Sequence, residues 1–145
     1  MIDRGFVVEP TDGVVAMAKK AEERLGRSVR VMRFDELKAI AAYDAVVASA
    51  SLLHAPLAGL QDILASIWRA LRPKGWHVAS FKAGTAEGRD GLGRYYNYPD
   101  RASLEQFYRE AGVWNVLEVE EYTGGGYDDK QGPWIMITVQ KAVRA

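Results

Sequence analysis

The chain has 145 residues, enough for one domain with a core of its own. Lysine plus arginine and aspartate plus glutamate number 19 each, so the formal net charge is zero, and no basic stripe marks a non-specific nucleic-acid binder. Charged residues at 26% and apolar ones at 48% exclude a disordered chain, and the absence of cysteine excludes disulfides, cysteine-zinc sites and thiol catalysis. Met1-Ile2-Asp3-Arg4 is no signal peptide, and no apolar run approaches the roughly 18 residues of a membrane helix. The cytoplasm is the expected compartment, with neither membrane nor nucleic acid as partner.

In chain order, a short apolar run from Phe6 to Val8 reads as a strand closed by Glu9, followed by the turn-formers Pro10-Thr11-Asp12-Gly13. Apolar residues then recur at Val14, Ala18, Ala21 and Leu25, a helical spacing with Lys19, Lys20, Glu22, Glu23 and Arg24 on the wet face. Thr11 or Asp12 is expected to cap that helix and Gly26 to close it. Val29 to Phe34 alternates apolar and basic residues as a strand ending at Asp35-Glu36, and Tyr43 to Ala48 reads as a buried strand.

Helical spacing returns at Leu57, Leu60, Leu64, Ile67, Trp68 and Leu71, stopped by Arg72-Pro73-Lys74-Gly75. Trp76 to Phe81 is another strand, and Lys82 to Asp100 carries no periodicity. Asp100 caps a helix bearing Leu104, Phe107, Tyr108 and Ala111, ended at Gly112. Two β-rich runs, Trp114 to Glu120 and Trp134 to Val139, flank Gly124-Gly125-Gly126-Tyr127-Asp128-Asp129 as a hairpin loop. The four tryptophans, Trp68, Trp76, Trp114 and Trp134, are expected in the core. No repeat or linker is visible, so residues 1–145 read as one α/β domain: a mostly parallel, Rossmann-like sheet with an antiparallel C-terminal hairpin.

Three stretches resemble class I S-adenosylmethionine-dependent methyltransferases. Gly5-Phe6-Val7-Val8-Glu9-Pro10-Thr11-Asp12 resembles that family's second strand. Tyr43-Asp44-Ala45-Val46, followed by Leu52-Leu53-His54, resembles its fourth strand and the loop beyond it. Leu71-Arg72-Pro73-Lys74-Gly75-Trp76 resembles the turn into its fifth strand, with Lys74 where the family has a glycine. More narrowly, the chain is similar to a small bacterial branch that includes tellurite-resistance-type enzymes. The family's first strand and glycine-rich loop are missing ahead of Gly5. One βα unit takes roughly 30 residues, so the expectation is either a start upstream of Met1 or a lost first unit. The resemblance puts that strand between the second and fourth, and its loss leaves two edges unpaired. They are expected to close by pairing directly or with another copy, as a homodimer.

The resemblance implies S-adenosyl-L-methionine as cofactor and these site residues. Glu9 accepts hydrogen bonds from ribose hydroxyls; the plainer reading is a polar residue leading into a Pro turn. Asp35 meets the adenine amino group, or else caps a helix from Glu36 to Ala41; Phe34 flanks the base or lies in the core. Ser49, Ser51 and His54 follow the fourth strand, facing the cleft. His54 is the candidate catalytic base, its alternative being a structural hydrogen bonder, and Asp44 is read as an anchor for a neighbouring turn.

The run Gly88-Arg89-Asp90-Gly91-Leu92-Gly93-Arg94 is a poor phosphate loop, its glycines being in reversed order with no helix behind them. A mobile loop over the site, in which Lys82, Arg89, Arg94, Tyr95, Tyr96 and Asn97 bind a small anionic or hydroxylated substrate, explains it better than a solvated surface loop. No metal site is expected: two adjacent aspartates with His54 and His77 far away make no ligand set. The expected reaction is methyl transfer to a small-molecule acceptor, which needs mainly alignment. The alternative is a non-catalytic remnant of the fold serving as an oligomeric binding module.

Overall fold

The computed structural model describes residues 1–126 and 130–143; the predicted loop residues Tyr127, Asp128 and Asp129 lie outside them. The chain divides into two compact units, Met1–Leu37 and Lys38–Ala145. Among the described residues no helix is long and apolar enough to cross a membrane.

In the first unit, helix α1 (Val15–Leu25) forms where the spacing predicts it and ends at Gly26, whose φ of 65° and N–H bonded to the Glu22 carbonyl make a left-handed cap. Asp12 contributes at the start, its Oδ1 accepting the Val14 N–H at 2.9 Å. Only Ala18 of α1 is buried, and Val14 and Leu25 are exposed, contrary to the predicted apolar face.

The strands are shorter and shifted. Phe6 to Val8 forms no strand; β1 is Thr11–Asp12, parallel to β2 (Arg30–Val31). Their ladder begins at the Pro10 carbonyl, which accepts the Arg30 N–H, and ends with the Met32 N–H on Asp12. Upstream of it residues 6–8 have no strand partner among the described residues, and Val7 is 99% exposed. Glu9 therefore precedes the strand instead of closing it. Likewise Asp35 lies in a 3-10 turn, Phe34–Glu36, and not at the end of a strand. The alternative helix from Glu36 to Ala41 does not form either; Ala41 has φ of 45°.

The second unit holds a four-stranded sheet in the order β3-β4-β8-β7. β3 (Tyr43–Ala48) is parallel to β4 (Leu71–Lys82); β8 (Gly132–Lys141) runs antiparallel to both β4 and β7 (Trp114–Gly124). The closing hairpin is thus as predicted. Among the described residues of this unit, β4 is the one strand paired with β3.

Helix α2 (Leu57–Ala70) buries Leu60, Leu64, Ile67 and Ala70, a stripe of i, i+4, i+7 spacing that meets α3 (Arg101–Ala111) and β4. Asp100 caps α3 as expected, its Oδ1 accepting the Ser103 N–H at 2.7 Å. In the turn from α2 into β4, Asp44 accepts from Arg72 Nη1 at 2.9 Å, the anchoring role predicted for it. A Cβ on Gly75 would lie 2.8 Å from the Arg72 carbonyl oxygen, so only glycine fits there.

His77, buried on β4, donates from Nδ1 to the Val46 carbonyl and accepts the Tyr108 hydroxyl at Nε2, each at 2.8 Å. Trp76, on the opposite side of the strand, is 41% exposed and not core.

Candidate functional site

β3 ends at Ala48, opposite Ala79, and its parallel neighbour β4 runs on to Lys82. Beyond β3 the chain turns sharply: Ala50 takes φ of 48° and its N–H donates to Ser80 Oγ at 2.7 Å. Ser49 is exposed and Ser51 half-buried on this turn, next to a 3-10 turn over Leu52–His54. Residues 82–100, expected to be irregular, contain a short hairpin, β5 (Gly88–Arg89) with β6 (Tyr95–Tyr96). Asp90 ties it, Oδ1 accepting the N–H groups of Leu92 and Arg94 at 2.9 and 3.0 Å.

That hairpin is bolted to the His54 turn through Asn97. Its Nδ2 donates to the carbonyls of Leu52 (2.8 Å) and Ala55 (2.9 Å), and its backbone N–H to Leu53. Asn97 is fully buried and holds the turn rather than facing a substrate. One residue pair along, His54 Nδ1 lies 2.8 Å from the Tyr95 carbonyl oxygen. A carbonyl only accepts, so Nδ1 is the donor in this pair and Nε2 is the ring's remaining hydrogen-bonding atom.

His54 forms one wall of a cavity of about 320 Å³, with Lys82 and Tyr96. Leu53, Ala50 and Trp134 add apolar surface, and Gly125 and Gly126 close it without side chains. The His54 and Tyr96 rings are 4.7 Å apart. The Lys82 ammonium lies 4.5 Å from the Tyr96 centroid and 5.8 Å from that of Trp134, while Tyr122 stacks on Trp134 at 6.3 Å. Two rings thus hold a lysine head at the end of β4.

Of the predicted substrate residues, Lys82 and Tyr96 meet His54 in this cavity; Tyr95 contributes its carbonyl, and its hydroxyl donates to Glu87. Arg89 and Arg94 do not line it. The Arg89 guanidinium donates to the Gly93 carbonyl at 2.7 Å, closing its own turn, and Arg94 is exposed. Trp134, Leu53, Gly125 and Gly126 were not predicted as site residues. Trp134, expected in the core, reaches the site through its register opposite Lys82.

The predicted nucleoside residues Glu9, Phe34 and Asp35 belong to the first unit. All three are exposed, and the Arg33 guanidinium contacts Asp35 at 3.1 and 3.4 Å. That charge pair holds the Arg33 pKa above its ordinary value. Among the described residues no three His, Asp or Glu side chains are grouped to hold a metal ion.

A sequence profile described as a methyltransferase domain matches residues 3–79, just over half of the chain. The chain belongs to this methyltransferase domain family. No curated protein matches it. The methyltransferase fold recurs in solved structures. A Burkholderia thailandensis 1,6-didemethyltoxoflavin-N1-methyltransferase, solved with 1,6-didemethyltoxoflavin and S-adenosylhomocysteine, is 20% identical with a TM-score of 0.73. The match covers 97% of this chain and 64% of that one, so this chain spans less than two thirds of that enzyme. A SAM-dependent methyltransferase from Methanosarcina mazei is 13% identical with a TM-score of 0.83, covering 97% of this chain and 84% of its own. The [4+2]-cyclase SpnF, 17% identical, has a TM-score of 0.71 over 98% of this chain and 69% of its own. At these identities the likeness is one of fold.

Proposed function

We propose that this methyltransferase domain uses S-adenosyl-L-methionine to methylate a small-molecule acceptor held in the His54–Lys82–Tyr96 cavity, the two units serving as one domain. The observation that carries the reading is the family match over residues 3–79, joined to a cavity at the carboxyl ends of β3 and β4.

The donor set of the chain fits a nucleoside. Glu9 is an exposed carboxylate able to accept from two neighbouring ribose hydroxyls. The Asp35 carboxylate, in an exposed pair with Arg33 that water already weakens, would accept from the adenine amino group, and Phe34 would cover the base. Ser49 and Ser51 add hydroxyls on the turn after β3. Bound, S-adenosyl-L-methionine supplies an electron-poor methyl group. The cavity aligns the acceptor atom, sets Leu53, Tyr96 and Trp134 against its apolar part, and offers His54 Nε2 as the base for the acceptor's proton. Within the family, the motifs favour the small bacterial tellurite-resistance-type branch. That β4 alone pairs with β3 among the described residues supports pairing with a second copy, which sedimentation equilibrium would register as a dimer.

Calorimetric titration of the chain with S-adenosylhomocysteine tests the central claim. Saturable binding that Glu9→Ala abolishes is the expected result; no binding at millimolar ligand, in a chain that is folded, overturns it.

A further inference from the structure

From the cavity wall we infer the class of acceptor: a small, flat, anionic molecule carrying a hydroxyl, its acid group against the Lys82 ammonium and its hydroxyl facing His54 Nε2. That the ligand is a methyl acceptor rests on the proposed methyl transfer; that it binds does not.

Charge comes first. Lys82 is the one formally charged side chain among the described residues lining the cavity. The faces of Tyr96 and Trp134 hold its ammonium by their quadrupoles, which carry no net charge, so its positive field persists. Among the described residues Lys82 makes no ion pair. The Asp90 carboxylate lies within coulombic reach of Lys82, but its Oδ1 is already bonded to two N–H groups of its own turn, and Arg94 shares its field. An ammonium set against two aromatic rings has lost part of its hydration shell, which strengthens its hold on an anion.

Shape follows from the same rings. Tyr96 and Trp134 are nearly buried, 2% and 9% exposed, and with Leu53 and Ala50 they make the cavity wall mainly apolar, suited to an unsaturated body. A volume of about 320 Å³ sits at the low end of the roughly 300–1,000 Å³ usual for ligand sites, so the occupant is small. The hydroxyl is suggested by His54: with Nδ1 donating to the Tyr95 carbonyl, Nε2 is the ring's remaining hydrogen-bonding atom, and a hydroxyl, donor and acceptor at once, pairs with it.

The test uses four probes on the full chain: 4-hydroxybenzoate, 4-hydroxybenzamide, benzoate and 4-hydroxybenzylamine. Binding is read by the shift of the Trp134 indole N–H in NMR, with and without S-adenosylhomocysteine. The acid should bind at least roughly tenfold more tightly than the amide, the size of one charge-assisted contact. Lys82→Met should reduce that margin to about twofold or less and Lys82→Arg should keep it. His54→Leu should erase the advantage of 4-hydroxybenzoate over benzoate. Equal binding of acid and amide by the unaltered chain, preference for the amine, or saturation by no probe would overturn the assignment. Acid-selective binding without any affinity for S-adenosylhomocysteine would uphold it and remove methyl transfer; cofactor binding without charge selectivity would do the reverse.

Discussion

The imidazole of His77 and the hydroxyl of Tyr108 are joined at 2.8 Å, two polar groups fully buried where β4 meets α3. Both His77 nitrogens are matched, one donating to the Val46 carbonyl and the other accepting from Tyr108, so the fold has a place only for the neutral ring. Burial lowers the His77 pKa from 6.5 to about 4, the Val46 carbonyl opposing in part. An unfolded chain takes up the proton near pH 6.5, the folded one only near 4. The contribution of His77 is therefore complete above pH 6.5 and disappears as pH falls toward 4. Over that window the fold should lose about 3 kcal/mol. Urea unfolding at several pH values checks this: the slope in the window should shrink in His77→Gln, which cannot titrate.

Lys74 occupies the left-handed region with φ of 66°, at the position where the resembled turn has glycine. A side chain there costs roughly 1–2 kcal/mol, and glycine's extra freedom in the unfolded chain returns part of any gain. Lys74→Gly should stabilise by up to about 1 kcal/mol and raise Tm by a few degrees. The Lys74 carbonyl, which accepts from Gln140 Nε2 at 3.2 Å, survives the change. Thermal unfolding decides it, a lowered midpoint counting against the strain.

Gly112 presents the opposite case. Its φ of 175° suits any residue, yet a Cβ there would lie 2.3 Å from Trp68 Cδ1. The indole cannot step aside freely: Nε1 donates to the Val113 carbonyl at 3.0 Å, and the Lys141 ammonium sits 3.9 Å over the ring. Gly112→Ala should destabilise by about 3 kcal/mol through overpacking. Combining it with Trp68→Leu should cost less than the two single changes added together, a coupling that a double-mutant cycle by denaturant unfolding measures.

Local signals carried the second unit well. Asp100 and Gly112 bracket α3, and leucines at four-residue spacing mark the buried face of α2, because a cap and a helical stripe are written within a dozen residues. Strand placement in the first unit was not legible, since pairing is a property of two segments. Phe6 to Val8 has the composition of a strand, but the ladder starts at Pro10. Half the cavity was visible: a lysine closing a strand and a histidine beyond the next strand's turn. Trp134 was not, because alternation along β8 cannot tell a core tryptophan from one opposite Lys82 without the register. Nor was Asn97 legible as a clamp, its carbonyl partners being 42 and 45 residues away.

That clamp supports a final expectation. Asn97 donates twice from one amide, to Leu52 and Ala55, and with the His54 Nδ1 bond to the Tyr95 carbonyl it ties the 3-10 turn of His54 to the β5–β6 hairpin. Asn97→Ala removes both bonds and leaves the Leu52 and Ala55 carbonyls without these donors, in a place too buried for water to replace them. The loss should be about 3 kcal/mol, lowering Tm by roughly 10 °C. It should also be local: hydrogen exchange at the backbone N–H groups of His54, Ala55 and Asn97 should quicken well before that of β4 and β8, whose ladder is untouched. Uniform acceleration across the sheet would show that Asn97 serves the whole core and not the turn carrying His54.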